Sequence, residues 1–391
     1  MENAPQSLLF GLSAAALVIW IGLLIGWGQF WRADQTLETK ESSITSWPTV
    51  AVIIPARDEA ALIGTAVRSH LNQSYSGNLS IVLVDDQSSD GTGAIATQIA
   101  TELNRADRLT LLSGKPLPSG WTGKLWAMEQ GFRYLQQRPA APDYVLFTDA
   151  DIEHATHSLQ QLVIKAETDQ LDLVSLMVRL RTQSVWEKLL IPAFVFFFQL
   201  LYPFPWVNNP SKKTAAAAGG CALIHFSALE RINGLQSIRQ ALIDDCALGA
   251  AVKAEGPIWL GLSEDTRSLR PYPGLQSIWQ MVARSAYSQL HYSPWLLVGT
   301  VLGMMLVYWV PPLGFLVGLG LGQGAIALVG LAGWLLMALA YWPTLRRYGG
   351  MPLLAFALPL IVLFYTLMTI DSARLYAIGA GGAWKGRVYS S

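Results

Sequence analysis

The chain has 391 residues, of which 52% are hydrophobic and 14% charged, against roughly 25% charged in a soluble domain; with a mean hydropathy of +0.34 it reads as a membrane protein. Its 27 basic and 27 acidic residues cancel, which excludes the even positive field of a nucleic-acid binder or a polybasic membrane-surface protein. Two cysteines, Cys221 and Cys246, have neither the CxxC spacing nor the Cys/His clusters of a zinc site and are too few for a disulfide framework, so both are expected as buried thiols.

From Ser7 to Trp31 no residue is charged, and about 20 apolar residues suffice to cross a bilayer core. A cleaved signal peptide does not fit. No basic residue precedes the run, and Trp27, Phe30, Trp31 and Arg32 stand where a small-residue cleavage site belongs. Residues 7–31 are therefore expected as an uncleaved transmembrane anchor.

Residues 46–291 have ordinary polarity and the size of one large or two small domains. Strand-like runs alternate with helical stretches: Thr49 to Pro55, a helix from Glu59, Leu79 to Asp86, a helix from Asp90, the run RLTLLSG, a helix from Thr122, and Asp143 to Asp151. Short β-branched runs separated by helices of about a dozen residues indicate βαβ units, hence an α/β fold with a mostly parallel sheet. Ligands of such sheets sit beyond the carboxyl ends of the strands.

Three of those ends carry acids: Pro55-Ala56-Arg57-Asp58-Glu59, Asp85-Asp86 and Asp149-Ala150-Asp151. Helix capping explains Asp90 in SSDGT but not all three clusters. An Asp-x-Asp after a buried strand sets two carboxylates on one side of an extended backbone, where they can share a divalent ion with substrate phosphates. No glycine-rich phosphate loop follows the first strand, which disfavours kinase and nicotinamide readings. A nucleoside-diphosphate ligand whose phosphates are bridged by metal fits better. His154 and His157, three apart, are a further possible ligand pair on a helix face, opposed by a helix that leads away from the acids.

Leu189 to Val207 is uncharged but broken by Pro192, Pro203 and Pro205. As a full span it would put Asp245 across the bilayer from the other acids, so it is read as an interfacial or re-entrant segment of a lipid acceptor groove. Beyond His291 no Asp, Glu, Lys or Arg occurs until Arg346, room for two spans, about 294–317 and 325–342, and a third apolar run covers 351–370. The Pro311-Pro312 pair is expected to kink or end the first. Arg32, Arg346 and Arg347 place their loops in the cytoplasm. Three full C-terminal spans (294–370) would then carry Arg374, Lys385 and Arg387 of the tail, 371–391, to the outside, so one run is expected to be re-entrant or interfacial.

The series VIIPARDE, VLVDDQSSDGT, GWTGKLWA, FTDAD, GGCALI and IDDCALG resembles, in order and spacing, the family 2 glycosyltransferases of GT-A fold. It is most similar to their membrane-bound subgroup, the ceramide glucosyltransferases and, closer still, the hopanoid biosynthesis-associated enzymes. The resemblance implies an inverting transfer of one sugar from a nucleotide donor, UDP-linked, to a membrane lipid at the cytoplasmic face of a bacterial inner membrane. It implies a hopanoid-like acceptor, a Mg2+ or Mn2+ cofactor and no nucleic-acid partner.

Carried over by position, Asp86 takes the nucleotide base, with Pro55, Ala56 and Glu59 beside it. Asp149 and Asp151 form the DxD pair on ribose and metal. Lys124 adds positive charge at the diphosphate, the alternative being a solvated surface lysine. Asp245, with neighbouring Asp244, is the candidate base, the alternative being a helix cap. Two adjacent acids repel, which favours protonating one of them. The family's Gln-x-x-Arg-Trp is altered to Gln280, Arg284 and Ser285. Arg284 still faces the diphosphate in that reading, but the missing Trp disfavours a processive polysaccharide synthase, one of two rivals. The other is a catalytically idle membrane scaffold of the same fold. The C-terminal WKGRVY, 384–389, recurs in lipid-modifying relatives.

Overall fold

The structure, a computed structural model, describes residues 3–37 and 44–379; the WKGRVY segment lies outside them. Helix α1 (Asn3–Gly26) carries no charged residue and is apolar over most of its length. The chain then turns at Gly28, whose φ is +59° and where a Cβ would meet Pro203 at 2.7 Å.

The domain follows as β1 (Val50–Ala56), α2 (Ala60–Leu71), β2 (Leu79–Asp85), α3 (Thr92–Glu102), β3 (Leu109–Ser113), α4 (Gly123–Gln136), β4 (Tyr144–Phe147), β5 (Ile152–Glu153), α5 (Ser158–Asp169), β6 (Leu173–Arg179), α6 (Val185–Leu201), α7 (Phe204–Val207), β7 (Ala222–His225), α8 (Phe226–Arg231), α9 (Asp244–Lys253), β8 (Ile258–Ser268) and α10 (Leu275–Ala283). The remaining helices are α11 (Pro294–Met304), α12 (Val310–Gly320), α13 (Gly324–Arg347) and α14 (Leu358–Ala377).

One eight-stranded sheet runs in the order β3-β2-β1-β4-β7-β6-β8-β5. Its first four strands are parallel, as βαβ connections require. The second half is mixed: β6 and β8 are parallel, whereas β7 runs antiparallel to β4 and β6, and β5 to β8. Alternation divides the core between the two faces. Ile53, Val84, Val145 and Phe147 pack with Leu125 and Phe132 of α4, and Ile54, Leu83 and Leu146 with Ile63 of α2 and Leu162 of α5.

Among the described residues, five helical segments are long and apolar enough to cross a membrane: Ala4–Gly26, Val185–Val207, Pro294–Gly320, Gly324–Arg347 and Pro352–Ala377. The second contains Pro192 without breaking, and it joins β6 to β7, hydrogen-bonded neighbours, so both its ends lie on the sheet's side. The Pro311-Pro312 pair does not end its helix. A π-helical turn, Met305–Trp309, precedes it, and helix continues to Gly320 because the wider turn frees the carbonyls that a proline ring would strike.

The last segment turns back. α13 ends on the sheet's side, where Arg347 pairs with Glu264 at 3.2 Å. Roughly midway along α13, the Trp334 indole donates to the Phe356 carbonyl at 3.1 Å, so the chain has re-entered the helix layer before α14 begins. α14 then runs to the link between β8 and α11. There Trp279 donates to Asp371 at 2.8 Å, the Tyr287 amide to Ser372 at 3.0 Å, and Tyr376 stacks on Tyr292. Arg374 therefore stands on the same side as Arg347, and the tail boundary moves from 371 to beyond Ala377.

Candidate active site

The acids after β1 and β2 are fixed by interlocking loops. The Asp86 amide donates to the Ala56 carbonyl at 2.8 Å, and Asp86, fully buried, has the Arg57 guanidinium 3.6 Å from its carboxylate. Pro55 and Ala56 are buried at the strand end. Asp58 accepts from the Ser89 amide at 2.8 Å. Asp90 accepts from the Thr92 and Ala60 amides at 3.1 and 2.9 Å, so one carboxylate serves the first turns of two helices.

β4 stops at Phe147 because Thr148 turns its hydroxyl to donate to the Gly220 carbonyl at 2.8 Å. Asp149 and Asp151 consequently occupy a turn rather than an extended strand and reach different cations. Lys124, in the first turn of α4, sits 2.7 Å from Asp149 and 3.4 Å from Asp244. Arg270 donates to Asp151 and Glu59, each at 2.6 Å. Gly219 leaves room for the lysine, since a Cβ there would lie 3.1 Å from Nζ.

Asp245, in the first turn of α9, accepts from the Gly219 amide at 3.0 Å and the Cys246 amide at 2.8 Å. α9 approaches closely because Gly249 lies against the Ala216 backbone, where a Cβ would meet the carbonyl carbon at 2.6 Å. Burial, then Asp244, pushes the Asp245 carboxyl up to about 6, against the opposing charge of Lys124. Burial also raises Asp149, in spite of Lys124. Lys124 itself is held protonated: burial lowers its pKa, but Asp149, Asp244 and Asp245 together overcome that.

Thus Glu59, Lys124, Asp149, Asp151, Asp244 and Asp245 come together through two bridging cations, Lys124 and Arg270. Arg284 is exposed at the C-terminal end of α10. Its charge reaches the Tyr272 hydroxyl, as do those of Arg270, Asp151 and Asp149. His154 is no ligand: it is buried, bonded to Thr148 at 3.0 Å and packed on His70, and burial keeps its ring neutral. Cys221 and Cys246 are buried free thiols. Arg270 escaped the sequence reading. Its one signal is an arginine directly after an alternating strand and before Pro271.

Residues 51–232, from β1 past α8, match the profile of the family described as Glycosyl transferase family 2. They carry every acid of this site except Asp244 and Asp245. The Bacillus subtilis protein described as "Probable glycosyltransferase YdaM" is 26% identical over 161 residues, 39% of this chain and 36% of that protein; the match thus spans about a third of that relative. Among solved structures, the Pyrobaculum calidifontis mannosyltransferase PcManGT, in complex with GDP-Man and Mn2+, is 19% identical with a TM-score of 0.52 and covers 94% of this chain and 98% of its own. Glucosyl-3-phosphoglycerate synthase of Mycobacterium tuberculosis is 15% identical, with a TM-score of 0.41 over 66% of this chain and 86% of its own. The fold is that of the GT-A class, an α/β domain with a mixed sheet, here joined to membrane-length helices.

Proposed function

We propose that the chain is an inverting, metal-dependent glycosyltransferase that moves one sugar from a nucleotide donor to the hydroxyl of a membrane lipid. One observation carries this reading: Lys124 contacts both Asp149 and Asp244 and its charge also acts on Asp245, so the acids of the donor side and the candidate base share a single centre.

In this reading Asp86 takes the base of the nucleotide, and Asp149 and Asp151 lie under its ribose and diphosphate. Asp245 accepts the proton of the acceptor hydroxyl. The acceptor oxygen bonds to the anomeric carbon as the bond from that carbon to the diphosphate oxygen breaks on the opposite face, which inverts the centre. A carboxyl near 6 suits a base working at neutral pH.

The donor set fits a hard divalent ion. Asp149 and Asp151 offer carboxylate oxygens, and six acids (Glu59, Asp86, Asp149, Asp151, Asp244, Asp245) face three cations (Arg57, Lys124, Arg270). Among the described residues no group of three or more His, Cys, Asp or Glu is arranged to hold a metal alone, in keeping with an Mg2+ or Mn2+ that takes one or two carboxylates plus substrate phosphates. Bound there, the ion would offset the charge of the departing diphosphate.

The route of α6 supports a lipid acceptor: Tyr202, just past its C-terminal end, interacts with Cys246 and Asp245, so the end of the apolar helix adjoins the candidate base. Ser285 in place of the family's Trp favours a single transfer, and a hopanoid-like acceptor is the narrower form of the proposal. The proposal locates the reaction at the inner face of a plasma membrane, with the sheet in the cytoplasm; the membrane-length helices, with Arg32, Arg346 and Arg347 at their ends, support it.

Calorimetry on the detergent-solubilised chain tests it. UDP and GDP are titrated with Mn2+ and with chelator, on wild type and Asp86→Ala. Metal-dependent binding of one nucleotide, lost in the variant, is expected; a chain that binds neither overturns the reading.

A further inference from the structure

Arg270 is the one charged group at the centre that no motif claims. Its position is set by the sheet. The two-residue ladder of β5 on β8 pairs Ile152 with Ser268 and Glu153 with Arg267, and the Leu269 amide extends it by donating to the Asp151 carbonyl at 2.8 Å. That bond delivers the next side chain to the Asp151 carboxylate. The guanidinium then uses separate nitrogens, Nε on Asp151 and Nη2 on Glu59, and both acids are 9% exposed at the side chain.

We propose that Arg270 is a resident counter-cation that makes divalent metal binding conditional on the nucleoside diphosphate. Resting on the function proposed above, the argument is one of charge. An arginine keeps its proton at every working pH, so Asp151 and Glu59 are already neutralised without any metal. An ion approaching Asp151 alone exchanges one cation for another, competes with the charge-assisted hydrogen bond from Nε and faces a like charge at contact distance. A diphosphate changes both sides of that balance. It supplies oxygen ligands that the ion needs beyond the carboxylates and an anionic partner for the released guanidinium. Lys124 is placed differently, on Asp149 and Asp244, and leaves Asp151 to Arg270.

The test is Mn2+ binding to the solubilised full chain, followed by the electron paramagnetic resonance of free Mn2+, with and without the nucleoside diphosphate that the wild type binds. Wild type should bind Mn2+ weakly alone and far more tightly with nucleotide. Arg270→Gln should bind Mn2+ alone about tenfold more tightly, with the metal–nucleotide coupling reduced by a similar factor, within the usual range of such couplings. A purely structural role would not raise metal affinity. Unchanged or weaker Mn2+ binding in a folded Arg270→Gln that still binds nucleotide overturns the proposal and leaves the proposed function standing. If Arg270→Gln does not fold, Arg270→Lys must show a smaller increase in the same direction, and no increase overturns the proposal. Absence of any metal–nucleotide coupling in wild type also overturns it, and a wild type that binds no nucleotide withdraws it together with the proposed function.

Discussion

In the parallel half of the sheet, β3-β2-β1-β4, Asp58, Asp86 and Asp90 are held within the two adjacent loops that follow β1 and β2: Asp58 by Ser89, Asp90 by Thr92, Asp86 by Ala56 and Arg57. In the mixed half the partners come from far along the chain. Asp151 meets Arg270 across 119 positions, and Glu59, although it follows β1, meets the same arginine across 211. Local fixing makes a rigid pocket for a ligand that binds the same way each time. Long-range fixing couples the reacting centre to the elements nearest the membrane helices.

The largest expected effect that sharpens this contrast is at Asp245. Asp245→Asn should lower turnover by about 10²–10⁴-fold, the usual reach of a general base, and the acidic limb of the wild-type kcat/KM profile should lie near pH 6. The same substitution should stabilise the fold. A carboxyl whose folded pKa lies above its ordinary value of 3.8 binds its proton more tightly folded than unfolded. Stability is therefore lost as pH rises between the two values, and the deficit is complete above about 6. A neutral side chain removes it, for a gain of about 1–2 kcal/mol at pH 8 and none at pH 3, read as melting temperature in detergent. An equally active or less stable Asp245→Asn would break the assignment of the base.

Asp151→Ala should reduce turnover by about 10²–10³-fold while the melting curve stays cooperative; a folded variant with full turnover would remove the metal from the donor side. Gly249→Val should cost about 2–3 kcal/mol through the clash with the Ala216 backbone, whereas Gly274→Val, with nothing within 4 Å of its Cβ, should be close to neutral. Equal melting temperatures for the two would mean that α9 is not held by that approach. The smallest effect is Arg374→Cys. Activity should be retained, and an impermeant thiol reagent should label it from the same side of sealed vesicles as Lys165→Cys on α5. Labelling from opposite sides would give α14 a full crossing.

The asymmetry also decides what was legible in the sequence. β1, β2 and β4 announce themselves because a buried parallel strand is a short β-branched run with acids at its end, a signal local in the sequence. Asp90 was readable as a cap for the same local reason. The antiparallel turn of the second half was not, since β7 is a four-residue strand and β5 has only two residues, too short for periodicity to show. Arg270 was invisible because its role arises from a ladder between Ile152 and Ser268, whereas Arg284 had a motif to recommend it and stands exposed on α10. For Asp149 and Asp151 extended geometry was the wrong picture: Thr148, by bonding to Gly220, turns the backbone and sends the two carboxylates to different cations.

The route of α6 bears on how the molecule can be handled. Its apolar face, with Leu190, Ile191 and Phe196 wholly buried against Tyr341 and Leu345 of α13, lies between two strands of the sheet and not at a chain end. Trimming both ends of the chain to leave residues 44–291 would strip that face of its cover without removing it. The trimmed protein would expose a contiguous greasy surface and self-associate, so the sheet cannot be freed from detergent by truncation alone; a water-soluble version requires redesigning the outward side chains of α6 itself.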